Sequence, residues 1–252
     1  VINVKNMNDM FKNAKAFNQD ISSWNVSNVT DMSEMFQNAT AFNQNLASWD
    51  VINVTKMAGM FSGASAFNQD ISSWKVDNVT DMHTVFYNAS AFNQNLNDWV
   101  VSNVTVMSYM FSGASAFNKN LNDWVVSNVT DMSYMFSGAS AFNQDLDKWD
   151  VRSVTKMDYM FSGASTFNKD IDGWDVGNVV NMDGMFLGAT SMTNGGNLLA
   201  SGWLDSEVNP GSEPKSNGDN KFIIINNEQY LSIATPITNE NIHDAVNEWC
   251  NE

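Results

Sequence analysis

Three tyrosines, Tyr109, Tyr134 and Tyr159, recur at intervals of 25 residues. If 25 residues make one turn of a coiled chain, their rings form a single amphipathic strip of the kind that stacks on sugars or protein partners. The other reading has the rings stacked on one another, covering the layer beneath. A second column of the same period, Asp20, Asn45, Asp70, Asn95, Asn120, Asp145 and Asp170, offers the hard oxygen donors that Ca2+ takes. A solvated acidic face explains that column more simply. Asp170-Ile171-Asp172-Gly173 has the opening of a calcium loop but lacks the distal Glu, so no cofactor is expected and Ca2+ is the one ion to test.

Catalysis would need a nucleophile beside a base, a carboxylate pair or metal ligands. His83 lies in a column filled in other repeats by Ser, Ala or Asp, and His243 falls on the polar side of a terminal segment; neither has a recognisable partner in sequence. Arg152 and Lys156 alone are a poor version of a polysaccharide-lyase groove, so the chain is read as non-enzymatic. Asn25, Asn28, Asn38, Asn53, Asn78, Asn88, Asn103 and Asn128 open Asn-x-Ser/Thr sequons. Turn and cap chemistry copied along the repeats accounts for these without glycans.

All of these residues take their places from one repeat. Phe17-Asn18 returns at 42, 67, 92, 117, 142 and 167, and Trp24 at 49, 74, 99, 124, 149 and 174. Every methionine except Met192 lies in two columns, as does every phenylalanine except Phe222, and all three prolines follow the repeats. The period defines a solenoid. Val29, Met32, Met35, Phe36 and Ala39 have the spacing of one helix face, with Thr30 as its cap and Gly63, Gly113, Gly138, Gly163 and Gly188 at its stop. Phe17 to Val26 reads as a short strand and turn, stacking as a parallel ladder. The expected fold class is therefore an α/β solenoid, a leucine-rich-repeat-like right-handed coil stack with one strand and one helix per coil. Asn18, Asn43, Asn68, Asn93, Asn118, Asn143 and Asn168 are read as an internal amide ladder, each donating to one neighbouring coil and accepting from the other. A lone coil cannot bury enough apolar surface to hold itself ordered, so stability should be close to a sum over coils and their interfaces.

Charge narrows the partners. With 12 Lys and Arg against 28 Asp and Glu, the formal net charge is −16. Such a chain repels phosphate backbones and anionic headgroups, so neither nucleic acid nor membrane insertion is expected. The longest apolar run near the end, Phe222 to Ile225, falls far short of the about 20 residues a bilayer span needs. Cys250 is the only cysteine, which rules out an intrachain disulfide.

Phe-Asn-Gln-Asp-Ile-Ser-Ser-Trp (17–24) followed by Val-Ser-Asn-Val-Thr-Asp-Met-Ser-Glu-Met-Phe (26–36) closely resembles a repeat of bacterial-type surface proteins grouped with the BspA-like leucine-rich-repeat surface proteins. The resemblance covers about residues 1–192. It implies an extracellular, cell-surface or virion-surface location, a leucine-rich-repeat-like solenoid and a role in adhesion, with a protein or glycan on a host or matrix surface as partner. It implies no particular ligand.

Three units are expected: the solenoid over 1–192, a Gly/Pro/Asn-rich linker or end cover over 193–220, and strands plus an amphipathic helix over 221–252. Leu198, Leu199 and Trp203 would fold over the last coil. Ile242, Ala245, Val246, Trp249 and Cys250 follow helical spacing behind Thr238 as N-cap. Val1 is equivalent to Val26, so the sequence opens inside a coil, and the tail resembles segments that precede a repeat block in this family. Together these suggest tandem blocks joined end to end, with Ile242, Val246 and Trp249 at the junction. Two functions follow as expectations: a binding module acting through its exposed strips, or the structural unit of a stalk or filament.

Overall fold

The computed structural model describes residues 3–192 and the strand pair Lys221–Ile225 (β1) and Gln229–Ile233 (β2). The 25-residue units lie one upon the next, with like residues of adjacent units in contact. One-residue parallel bridges join Asn6 to Asp31 and Asp31 to Lys56, and further along they link Asp81, Val106, Asp131, Lys156 and Asn181 in series.

The inward columns form one continuous core. Within a unit Phe36 lies on Phe42 with ring centroids 4.0 Å apart; between units it lies on Phe61 at 5.6 Å. Trp49 and Trp74 are parallel to within 2° at 6.5 Å. Met32, Met35, Phe36, Phe42, Phe61 and Phe67 are fully buried. Burial of each such side chain stabilises by about 1.5–3 kcal/mol.

The helix expected in each unit is not formed: among the described residues there is no helix. The segment from Met32 to Ala39 alternates its bonds instead. The N–H groups of Met32, Glu34, Phe36 and Asn38 donate to the carbonyls of Lys56, Ala58, Met60 and Ser62 in the next unit, at 2.7–2.9 Å. Those of Met35, Gln37 and Ala39 donate three residues back in their own unit, at 3.0–3.2 Å. Glu34 and Asn38 have φ of 54° and 56°, which no right-handed helix accommodates. Overlapping turns of three-residue pitch bring the same apolar residues inward as a helix would, so the spacing alone could not separate the two. Thr30 consequently caps no helix; its hydroxyl and N–H both donate to the Lys5 carbonyl. Gly63, Gly113, Gly138, Gly163 and Gly188 do take positive φ, but within these turns.

The strand expected over Phe17 to Val26 is also absent, because its amides serve turns. Phe17 N–H donates to the Ala14 carbonyl, Ser22 N–H to Asp20 Oδ1 and Trp24 N–H to the Ile21 carbonyl, leaving no run of donors for a ladder. Beyond the repeats, β1 and β2 pair antiparallel, Lys221 opposite Ile233 and Ile225 opposite Gln229. The expected end cover (Leu198, Leu199, Trp203), the terminal helix with Ile242, Val246, Trp249 and Cys250, and His243 lie outside the described residues.

Candidate binding face

The tyrosine strip grows from a backbone peculiarity. Asp9, Glu34, Gly59, Thr84, Tyr109, Tyr134, Tyr159 and Gly184 form one column, and all eight have φ between 52° and 65°. Each is the third residue of a turn closed by an N–H one position later, as in Met110 N–H to the Met107 carbonyl. That place in such a turn demands positive φ and favours glycine. Gly59 and Gly184 fill it without strain; the tyrosines do not.

Structure places the three tyrosines in contact. Tyr109 and Tyr134 stack at 4.5 Å and 5°, and Tyr134 and Tyr159 at 4.8 Å and 15°. Tyr87 closes one end edge-on to Tyr109, at 6.2 Å and 73°. At the other end the Tyr159 ring lies over Gly184, where a Cβ would sit 2.5 Å from Cε1. The ring faces are engaged with one another, the second of the two readings of the strip. Ring edges and hydroxyls remain to meet a partner. Partial burial, and after it the charge of Asp158, raises the Tyr109 phenol above its ordinary range, so it stays protonated at neutral pH. Asp158 is itself raised, first by burial and also by Asp131 and Asp183. The strip is thus bordered by carboxylates.

The acidic column does local structural work. Asp20, Asp70 and Asp170 accept the N–H of Ser22, Ser72 and Asp172 at 2.9 Å, and Asn45, Asn95 and Asn120 accept that of Ala47, Asn97 and Asn122. These are Asx turns. The Ser22 and Ser72 hydroxyls, and then their N–H groups, lower the carboxyls of Asp20 and Asp70. Asp145 pairs with Lys169 at 3.1 Å. Among the described residues no three His, Cys, Asp or Glu side chains cluster as a metal would need.

The asparagine column connects successive units from Asn18 to Asn168, with the side chains of Asn18 through Asn143 as acceptors. The N–H groups of Asn43, Asn68, Asn93, Asn118, Asn143 and Asn168 donate to Oδ1 of Asn18, Asn43, Asn68, Asn93, Asn118 and Asn143, at 2.9–3.0 Å. Gln44, Gln69, Gln94 and Gln144 donate Nε2 to the same oxygens. Sequon amides are similarly engaged: Nδ2 of Asn53, Asn78, Asn103 and Asn128 donates to a carbonyl of the preceding unit at 2.7–2.8 Å.

His83 and Arg152 each have a carboxylate partner. His83 Nδ1 lies 2.8 Å from Asp81 Oδ1, which also accepts the His83 N–H. Arg152 clamps Asp150 through Nε at 2.8 Å and Nη2 at 2.6 Å, holding that carboxyl down at about 2. A residue two positions earlier in sequence makes each pairing, a local signal that was available. The left-handed backbone under the tyrosines was available too, in the glycines of their column.

Columns of like residues in contact, joined by backbone and side-chain bonds from unit to unit, define a tandem-repeat protein. Residues 1–99, 44–141 and 82–203 each match the family described as "Mycoplasma protein of unknown function, DUF285", and the chain belongs to that family. No curated protein and no solved structure matches it.

Proposed function

We propose that the chain is a non-enzymatic module of a BspA-like leucine-rich-repeat surface protein, acting outside the cell, that binds a protein on a host or matrix surface through its tyrosine edge. The observation that carries this reading is the left-handed backbone at Tyr109, Tyr134 and Tyr159, φ 57°, 57° and 52°. Such a conformation costs about 1–2 kcal/mol for a residue with a Cβ. Asp9, Glu34 and Thr84 bear the same cost where Gly59 and Gly184 avoid it, but only at the tyrosines do three neighbouring units bear it with a large aromatic ring, and strain of this kind concentrates at functional sites. Tyrosine edges with their hydroxyls suit a protein surface, where this residue is enriched at contacts. The carboxylates at the border and the net charge of −16 favour a basic partner by steering. The solenoid class belongs to the same proposal, supported by the unit-to-unit bonds, with turns taking the place of helices.

The test immobilises the chain and challenges it with purified basic matrix proteins and, in parallel, with neutral and acidic polysaccharides. Capture of a matrix protein by the native chain, lost in the Tyr109→Asn/Tyr134→Asn double variant, is the expected result; asparagine tolerates positive φ, so the fold is kept. Undiminished capture by the variant, or capture of polysaccharide alone, overturns the reading.

A further inference from the structure

Tyr109 and Tyr134 are placed for a second kind of chemistry. Their rings are parallel to within 5° at 4.5 Å. Both residues are half-buried, so a reagent in solution reaches their edges. Met107, Met110, Met132, Met135 and Trp124 are buried, while Tyr87 and Tyr159 are the half-buried oxidisable rings in contact with the pair, Tyr159 on Tyr134 at the longer 4.8 Å and the wider 15°. The two tyrosines sit in adjacent units, at the same position of each turn.

We propose that Tyr109 and Tyr134 form an intrachain dityrosine bridge when a haem peroxidase fed by hydrogen peroxide acts on the protein. Each phenol gives up one electron and one proton. The two phenoxyl radicals join through their ortho carbons in a new carbon–carbon bond. The hydrogen on each joined carbon then moves to the phenolic oxygen, restoring both hydroxyls. The net change is two hydrogens removed from the protein and one peroxide reduced to two waters. Stacking at 4.5 Å holds the ortho carbons together before oxidation, so coupling within the pair outruns diffusion to another chain. The bridge would tie two units covalently in a sequence whose single cysteine provides no disulfide of its own. Like a disulfide, it would restrict the unfolded chain and raise the melting temperature. This proposal is independent of the partner reading, since the oxidation needs no ligand.

The experiment treats the full chain, in dilute solution, with peroxide and peroxidase, then reads intact mass, biphenol fluorescence and the joined peptides. The expected product is a monomer lighter by two hydrogens, with the Tyr109 and Tyr134 peptides linked and a raised melting temperature. Tyr134→Phe keeps the stacked ring and removes the bridge; Tyr159→Phe leaves the bridge in place. Coupling only between chains, a bridge at Tyr134 and Tyr159 instead, or no loss of hydrogen overturns the proposal.

Discussion

Leu96 and Trp124 meet at one carbonyl. The Leu96 oxygen accepts the indole N–H of Trp124, 28 residues later, at 2.8 Å, and the backbone N–H of Trp99 at 3.0 Å. The same arrangement recurs for Trp49 on Ile21, Trp74 on Leu46, Trp99 on Ile71, Trp149 on Leu121 and Trp174 on Leu146. Each indole thus fastens its unit to the one before while its ring fills the core.

Trp124→Phe removes the donor and part of the ring but leaves the Leu96 carbonyl its second bond. The expected loss is about 1–2 kcal/mol, a hydrogen bond and a small cavity together. Urea unfolding measures it, and the midpoint should fall without a change of slope.

Asn93 accepts the Asn118 N–H at 3.0 Å. Asn93→Ala leaves that donor without its acceptor and is expected to cost about 1–3 kcal/mol. Asn93→Asp retains an oxygen in the same place and should lose less. Thermal melts of the two variants side by side decide the matter: equal losses would deny the oxygen its role.

Gly113 and Gly138 have the same backbone, φ 72° and 68°, yet different neighbours. A Cβ on Gly138 would meet only the Gly113 backbone at 3.7 Å, whereas one on Gly113 would run into Asn88 Oδ1. Gly138→Ala should therefore cost about 1–2 kcal/mol for the left-handed conformation alone. Gly113→Ala should cost more, and the Gly113→Ala/Asn88→Gly double variant should recover the excess in a denaturation cycle.

The Asp150 carboxyl is lowered from 3.8 to about 2, first by its side-chain bond to Arg152. A carboxyl lowered on folding adds stability above its unfolded value and loses it as pH falls toward its folded one. Stability should accordingly decline between about pH 4 and pH 2, and Asp150→Asn should flatten that part of the curve. Arg152 is exposed and Asp150 partly so, and added salt should weaken the effect. Melting temperature against pH, for both chains, tests it.

Much of this arrangement is readable in the residues themselves. The columns of Met, Phe and Trp point inward because only stacked units can bury them, and their 25-residue period says which atoms meet. What could not be read is how the backbone connects those columns. Val29, Met32, Met35 and Phe36 are spaced for a helix or for three-residue turns alike. The choice falls to hydrogen bonds made to residues 24 positions away, such as Phe36 N–H to the Met60 carbonyl. For the tyrosine strip, the period brings Tyr109, Tyr134 and Tyr159 together but says nothing about which way the rings face. Their orientation follows from the left-handed φ beneath them.

The alternation of amides along Met32 to Ala39 has a consequence for how such chains change over generations. Every unit offers upward what the next requires, and accepts from below what its predecessor offers. Excising or duplicating one whole period of the gene therefore keeps the backbone alternation and the core columns at the new joint. Length can drift by recombination while the joints stay the same, and a strip of tyrosines can be lengthened or shortened without redesigning the scaffold beneath it.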